Sequence, residues 1–216
     1  MPNLSCSKGF NRATTTEHES VDQPRPKVWL TDTDYAQLRD HAGYRDGLVI
    51  RLGAECGLRS FEIPQVRPKD IRSYDRDDEE YHFFRVRQGK DTTGNGGKAR
   101  DAYLPIILER SIRRYVREHE IAPDIPLVNV SPRTVQRIVK RVAKRAADAM
   151  DDDDYLKISS HDLRRYFAHT MLVRERMNPR VVMEVGGWDD YQSLEPYLLK
   201  PDEGTIIDEF ERADRK

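Results

Sequence analysis

Long apolar runs are missing from this chain. None of its 216 residues falls in a stretch approaching the ~20 apolar residues that a membrane-spanning helix needs, and the N-terminus carries no hydrophobic signal segment. Cysteine is almost absent. Cys6 in a polar stretch and Cys56 inside a predicted helix make no disulfide framework. These absences exclude a helical membrane protein and a disulfide-built secreted domain, and the expectation is a cytoplasmic protein with no membrane partner. A surplus of either charge is missing too: 37 Lys and Arg stand against 38 Asp and Glu, for a net charge of −1. That balance argues mildly against a nucleic-acid surface, which is usually basic.

What the chain does have is charge in blocks. Charged residues make up 35% and hydrophobic residues only 37%, so a small core must lie under a heavily charged surface. Acids gather at Asp75 to Glu80 and Asp151 to Asp154, bases at Arg110 to Arg117 and Arg133 to Arg145. Of the 37 bases 27 are Arg, the side chain whose planar fork matches phosphate. Distribution therefore carries more information than the sum.

Residues 1–27 are polar and without sustained period, which predicts a disordered arm. Thr31-Asp32-Thr33-Asp34 offers a capping box ahead of a helix marked by Tyr35 and Leu38. A second helix over about Arg45 to Cys56 ends at Gly57, and Arg59 is placed at the start of a short helix limited by Pro64. Within it Glu62, three residues on, makes either a surface ion pair with Arg59 or the partner a partly buried Arg59 needs, the apolar neighbours Leu58, Phe61 and Ile63 predicting partial burial. Ile71 to Tyr74, Tyr81 to Arg87 and Ala99 to Ile106 read as three strands, joined by an acidic turn and then by the glycine-rich loop Gly94-Asn95-Gly96-Gly97. Lys90 lies at the end of the middle strand and Lys98 at the start of the third.

A helix follows from Ile107 to His119, with Ile112, Tyr115 and Val116 inward. Ser131-Pro132 then opens an amphipathic helix to about Met150. Its polar face presents Arg133, Arg137, Lys140, Arg141, Lys144 and Arg145, a run suited to lie along a DNA backbone. Asp151 to Asp154 form a loop without the alternating ligand pattern of a calcium site, so no metal is expected. Ser159 or Ser160 caps the next helix, which carries His161 and Arg164 three residues apart and hence on one face. Arg165 and His169 are expected at the periphery. Asn178-Pro179 opens a shorter helix, Gly186-Gly187 breaks it, and Trp188 and Tyr197 follow.

Taken in order, Gly57-Leu58-Arg59-Ser60-Phe61-Glu62, Gly89-Lys90, His161-Asp162-Leu163-Arg164, Trp188 and Tyr197 resemble the catalytic domain of the tyrosine recombinase (phage integrase) family. The resemblance covers roughly Trp29 to Tyr197. It implies a mainly α fold with a small three-stranded antiparallel β-sheet (α+β), formed by residues 28–198. It also implies a site-specific recombinase that cleaves and rejoins DNA through a 3′-phosphotyrosyl intermediate, without metal or cofactor. Arg59, Lys90, His161, Arg164 and Trp188 would surround the phosphate and Tyr197 would attack it, with Glu62 in support. The loop after Lys90 is longer than the family's common form, which leaves Lys98 as a rival general acid. Double-stranded DNA is the implied partner, with a homotetramer assembling on it and residues 199–216 forming a tail that docks on a neighbouring protomer or packs on its own domain. Type IB topoisomerases use the same residue types, and an inactive, DNA-binding relative is a further alternative. The family's usual helical clamping domain is not supplied by residues 1–27, so an excised domain or a minimal protein is expected.

Overall fold

A computed structural model describes residues 28–87 and 99–198, together with Ile207, Phe210 and Glu211. Six α-helices and three strands appear among them in the order α1 (Asp32–Asp40), α2 (Tyr44–Glu55), β1 (Ile71–Arg76), β2 (Glu79–Val86), β3 (Arg100–Leu104), α3 (Ile106–Glu118), α4 (Pro132–Met150), α5 (Ser160–His169) and α6 (Pro179–Gly186). The mainly α architecture with one small antiparallel sheet is the expected one. No helix among the described residues is long and apolar enough to cross a membrane.

Helix α2 is the centre. Its Leu48, Val49, Ile50 and Leu52 are almost wholly buried, and α1, α3, α4 and α5 all pack on it. Each such side chain contributes about 1.5–3 kcal/mol by leaving water. Gly53 allows α5 its close approach: a Cβ there would stand 3.1 Å from Cβ of Leu163. Helix α4 turns Val135, Ile138, Val139, Val142, Ala143 and Ala146 inward, so its apolar stripe is the buried one.

The helix ends follow their local chemistry. Thr31 Oγ1 accepts from the Asp34 N–H at 3.1 Å, while the Asp34 carboxylate accepts from the Thr31 N–H at 2.8 Å. Ser131 Oγ accepts from the Thr134 N–H at 3.2 Å, with Pro132 in the first helical turn. At α5 the Asp162 carboxylate accepts from the N–H and Oγ–H of Ser159, at 2.9 and 2.7 Å.

The sheet has strand order β1-β2-β3, antiparallel throughout. Asp77 and Asp78, at φ 52° and 63°, make the two-residue turn between β1 and β2. A primed turn needs left-handed backbone at both positions, which Asp tolerates better than most residues. His82, Phe84 and Val86 of β2 and Arg100, Ala102 and Leu104 of β3 share the buried face. An arginine thus occupies a core-facing strand position.

Several boundaries differ from expectation. Arg59 precedes a turn rather than opening a helix, and its carbonyl accepts from the N–H groups of Glu62 and Ile63. Pro64 lies inside a 3₁₀ turn, Ile63–Gln65, because a tight i→i+3 turn tolerates its missing N–H. The third strand stops at Leu104, since Pro105 cannot donate to the ladder and instead caps α3, taking Ile106 into the helix. The acidic run closes into a 3₁₀ turn at Asp153–Lys157 after Asp151 takes φ 53°. Arg165 is buried rather than peripheral, ion-paired with Asp162 and donating to the Val28 carbonyl at 3.3 Å. Residues 1–27 and the loop 88–98 lie outside the described residues. So does the expected tail, except that Ile207 and Phe210 are helical and exposed.

Beyond α5 the chain continues as a π-helical turn, Thr170–Arg174, then α6, then a 3₁₀ turn at Glu195–Tyr197. Phe167, Ala168, Leu172, Val182, Trp188, Leu194 and Tyr197 form a second, smaller apolar cluster. This cluster holds both aromatic residues singled out by sequence.

Candidate active site

The last carbonyls of a helix have no intrahelical partner and carry the negative end of its dipole. At the end of α6 three arginines supply what is missing. Arg100 Nε donates to the Val185 carbonyl at 3.0 Å, Arg164 Nη1 to Gly186 at 2.6 Å, and Arg59 Nη2 to Gly187 at 2.6 Å. Glycine is required twice here. Gly187 has φ +72°, and a Cβ on it would stand 2.8 Å from the Arg100 guanidinium; a Cβ on Gly186 would overlap the Trp188 ring at 1.9 Å.

Glu62 fastens two of the three. Its carboxylate accepts from the Arg59 N–H at 2.8 Å and from Arg59 Nη1 at 3.0 Å. It also accepts both ends of the Arg100 fork, at 2.7 and 2.9 Å. Burial pushes the Glu62 carboxyl up, but the hydrogen bonds and charge of Arg100, followed by the contacts of Arg59, outweigh it and hold the group below its ordinary value. Glu62 is therefore a buried anion shared by two cations.

Arg164 is buried, with Nη1 also donating to the Gly57 carbonyl. Gly57, at φ +66°, lies so close to Phe167 that a Cβ would meet its ring at 2.5 Å. The Trp188 ring lies beneath the Arg164 guanidinium, whose carbon is 3.7 Å from the ring centroid. Arg164 Nη2 is buried without a hydrogen-bond acceptor among the described residues. Burial first, and then the charge of Arg59, push Arg164 down to about 9, against the pull of Glu62. It remains a cation at neutral pH.

Arg59, Arg164 and His161 line one cleft of about 340 Å³, together with Gln136 and Ser160. His161 is exposed at the cleft, yet desolvation by its neighbours, then Arg165 and Arg164, lower it below its ordinary 6.5. Its imidazole is thus neutral at pH 7 and able to accept a proton. Tyr197 is buried, its ring edge-on to Trp188 at 5.8 Å and to Trp29 at 6.4 Å. It touches Trp188, which lies against the cleft residue Arg164, and neither aromatic residue lines the cleft itself. Lys90 and Lys98 lie outside the described residues.

The basic face of α4 divides in two. Arg133, Arg137 and Lys140 line a groove of about 510 Å³ that shares Gln136, Ser160 and His161 with the cleft. Arg141 and Arg145 border a different depression near Gly43 to Asp46, and Arg141 is engaged with Asp46 at 2.6 Å. Lys144 is exposed and borders neither. Five of the six bases expected to act as one surface therefore border two different depressions, because the helix carries them around more than one side. Arg100 is the site residue that the motifs did not single out. Its signal was strand parity: two residues before the buried Ala102 and four before Leu104, it shares their face.

The phage integrase family matches residues 28–203. This chain belongs to that family. No curated protein matches the sequence. Among solved structures, XerA recombinase is 17% identical with a TM-score of 0.62, the match covering 93% of this chain and 66% of that one. XerH site-specific recombinase bound to difH substrate is 18% identical at a TM-score of 0.62, over 90% of this chain and 56% of that one. The Tn1549 transposon integrase in complex with a circular intermediate DNA is 17% identical at 0.64, covering 89% and 68%. At such identities the likeness is one of fold, a tyrosine recombinase catalytic domain. This integrase-family chain spans less than two thirds of the XerA and XerH chains it matches.

Proposed function

We propose that the protein is a tyrosine-type site-specific recombinase that cuts and rejoins double-stranded DNA through a 3′-phosphotyrosyl intermediate. The observation that carries this reading is the cleft itself. Two guanidinium groups from distant parts of the chain line it, and one of them holds a buried donor with no acceptor among the described residues. A phosphodiester oxygen is the acceptor that such a donor lacks.

The proposed chemistry uses each group for what its surroundings permit. Arg59 and Arg164 grip the non-bridging oxygens and stabilise the charge that grows on them in the transition state. The Tyr197 oxygen attacks phosphorus as its proton passes to the neutral His161 imidazole, forming the P–O(Tyr) bond and breaking the bond to the 5′ oxygen. Lys90 protonates that departing oxygen, with Lys98 as the alternative donor. Trp188 backs the Arg164 guanidinium and borders Tyr197. The bond count is conserved, so a 5′-hydroxyl of a second duplex reverses the step on a new strand without an external energy source. In this proposal the groove of Arg133, Arg137 and Lys140 receives the flanking backbone, four copies assemble on DNA in the cytoplasm, and the tail bearing Ile207 and Phe210 docks on a neighbour.

The test uses duplexes with randomised sequence around one bridging 5′-phosphorothiolate, whose thiol leaving group does not reattack. Wild-type protein is expected to form a denaturation-resistant adduct that Tyr197→Phe abolishes, and to exchange strands between two natural duplexes once a site is selected. Equal adduct in both proteins, or none in either, would defeat the proposal. Relaxation of supercoils without exchange would identify a topoisomerase instead.

A further inference from the structure

Arg100 is 4% exposed, and each of its side-chain nitrogens is already engaged inside the protein. Three of its five N–H donors are taken, and the residue is buried away from the cleft, which it does not line. Its partners, however, form a closed ring around Arg59. Glu62 Oε1 accepts from Arg100 Nη1 at 2.7 Å and from Arg59 Nη1 at 3.0 Å, while Oε2 accepts from Arg100 Nη2 at 2.9 Å and from the Arg59 N–H at 2.8 Å. Arg100 Nε then ties this carboxylate to Val185, two residues before Gly187, whose carbonyl accepts from Arg59 Nη2 at 2.6 Å. Space for the ring depends on Gly187, whose absent Cβ is where the Arg100 guanidinium lies.

We infer that Arg100 is a positioning residue: its bidentate fork sets the plane of the Glu62 carboxylate and so holds Arg59 ready for a phosphate before any DNA binds. The inference rests on reading Arg59 as a phosphate clamp. A fork is needed rather than a charge. An ammonium at the same place would neutralise Glu62 but could not grip both oxygens in one plane. Simple neutralisation and positioning therefore predict different outcomes for Arg100→Lys.

Inorganic phosphate is the probe, titrated against the intact chain and read by tryptophan fluorescence, since Trp188 lies under Arg164. Arg100→Lys is expected to weaken phosphate binding about tenfold when Arg59 is present, the scale of one charge-assisted hydrogen bond. In an Arg59→Ala background the same change is expected to do almost nothing, because positioning acts through the missing group. Equal losses in both backgrounds, no loss in either, or a wild-type protein that does not bind phosphate overturns the inference. Near-UV circular dichroism checks folding, and Arg100→Gln serves in the same comparison should the lysine variant not fold. A measurement on wild-type protein needs no variant fold: nitrogen NMR without DNA should resolve separate Nη signals for a rotationally locked Arg59, and one averaged signal overturns the inference. Adduct formation on DNA is scored separately. A protein that binds phosphate through an Arg59 whose affinity depends on Arg100, but never forms the Tyr197 adduct, would defeat the proposed function and leave the role of Arg100 intact.

Discussion

Arg164 sits over the Trp188 ring, its guanidinium carbon 3.7 Å from the ring centroid, while Nη1 reaches the Gly186 carbonyl at 2.6 Å. One face of the cation is thus covered by an indole that also belongs to the small apolar cluster around Tyr197. Trp188→Phe keeps an aromatic face and should cost about 1–2 kcal/mol of stability. Trp188→Ala removes the cover and leaves a cavity, with an expected cost of about 3–5 kcal/mol. Urea denaturation of both variants measures the difference, and equal costs would show that an aromatic ring at 188 contributes nothing to covering Arg164.

Glu62 predicts an acid response of definite sign. Its folded-state carboxyl is held below the ordinary 4.5, so it contributes stability above that value, lost as pH falls through the folded value. Wild-type stability should therefore drop as pH is lowered through and below 4.5. Glu62→Gln leaves two guanidinium groups without their anion and should cost about 3–5 kcal/mol at neutral pH. The variant's acid slope should be shallower, so parallel stability curves for the two proteins would contradict this account of Glu62.

His161 predicts a proton-binding curve. Desolvation by its neighbours, Arg165 and Arg164 together lower its imidazole, so the proton NMR titration midpoint in the free protein should lie below 6.5. Strand cleavage, if His161 accepts the tyrosyl proton, should fall as pH drops through that midpoint. A midpoint at or above 6.5 would show that the two arginines do not bear on the ring as their geometry indicates.

The sequence made the helices readable wherever chemistry was local. The Thr31–Asp34 box, Ser131-Pro132, Asn178-Pro179 and Gly186-Gly187 each mark a boundary through groups within a few residues of one another. Strand alternation revealed the three-stranded sheet for the same reason. The links between arginines and the end of α6 were not readable, because their partners are glycine and valine carbonyls far along the chain. Motif spacing proposed Arg59, Arg164 and Glu62 but could not show that Arg100 shares the same carboxylate. The basic face of α4 read as one surface because periodicity distinguishes buried from exposed, not which neighbour an exposed side chain meets. Lys90 and Lys98 remain alternatives, both being outside the described residues.

The two sides of α4 give the next prediction. Removing Arg133, Arg137 or Lys140, which border the groove continuous with the cleft, should make the slope of log affinity for DNA against log salt shallower by about 0.9 for each phosphate no longer neutralised. Arg141→Ala should leave that slope unchanged, because Arg141 is turned to Asp46. Titration of duplex DNA by fluorescence anisotropy at several salt concentrations separates the two. Equal slope changes on both sides would return the helix to a single uniform surface.

The central claim, that a phosphate held by Arg59 and Arg164 is attacked by Tyr197, is tested most directly by mapping the covalent adduct. Wild-type protein trapped on the phosphorothiolate duplex pool would be digested with nuclease and protease and its peptides sequenced by mass spectrometry. The account predicts a 3′-nucleotide remnant on Tyr197, lost in Arg59→Ala and Arg164→Ala. A remnant on Tyr191, Tyr155 or Tyr166, or on Tyr197 undiminished when either arginine is removed, would contradict it.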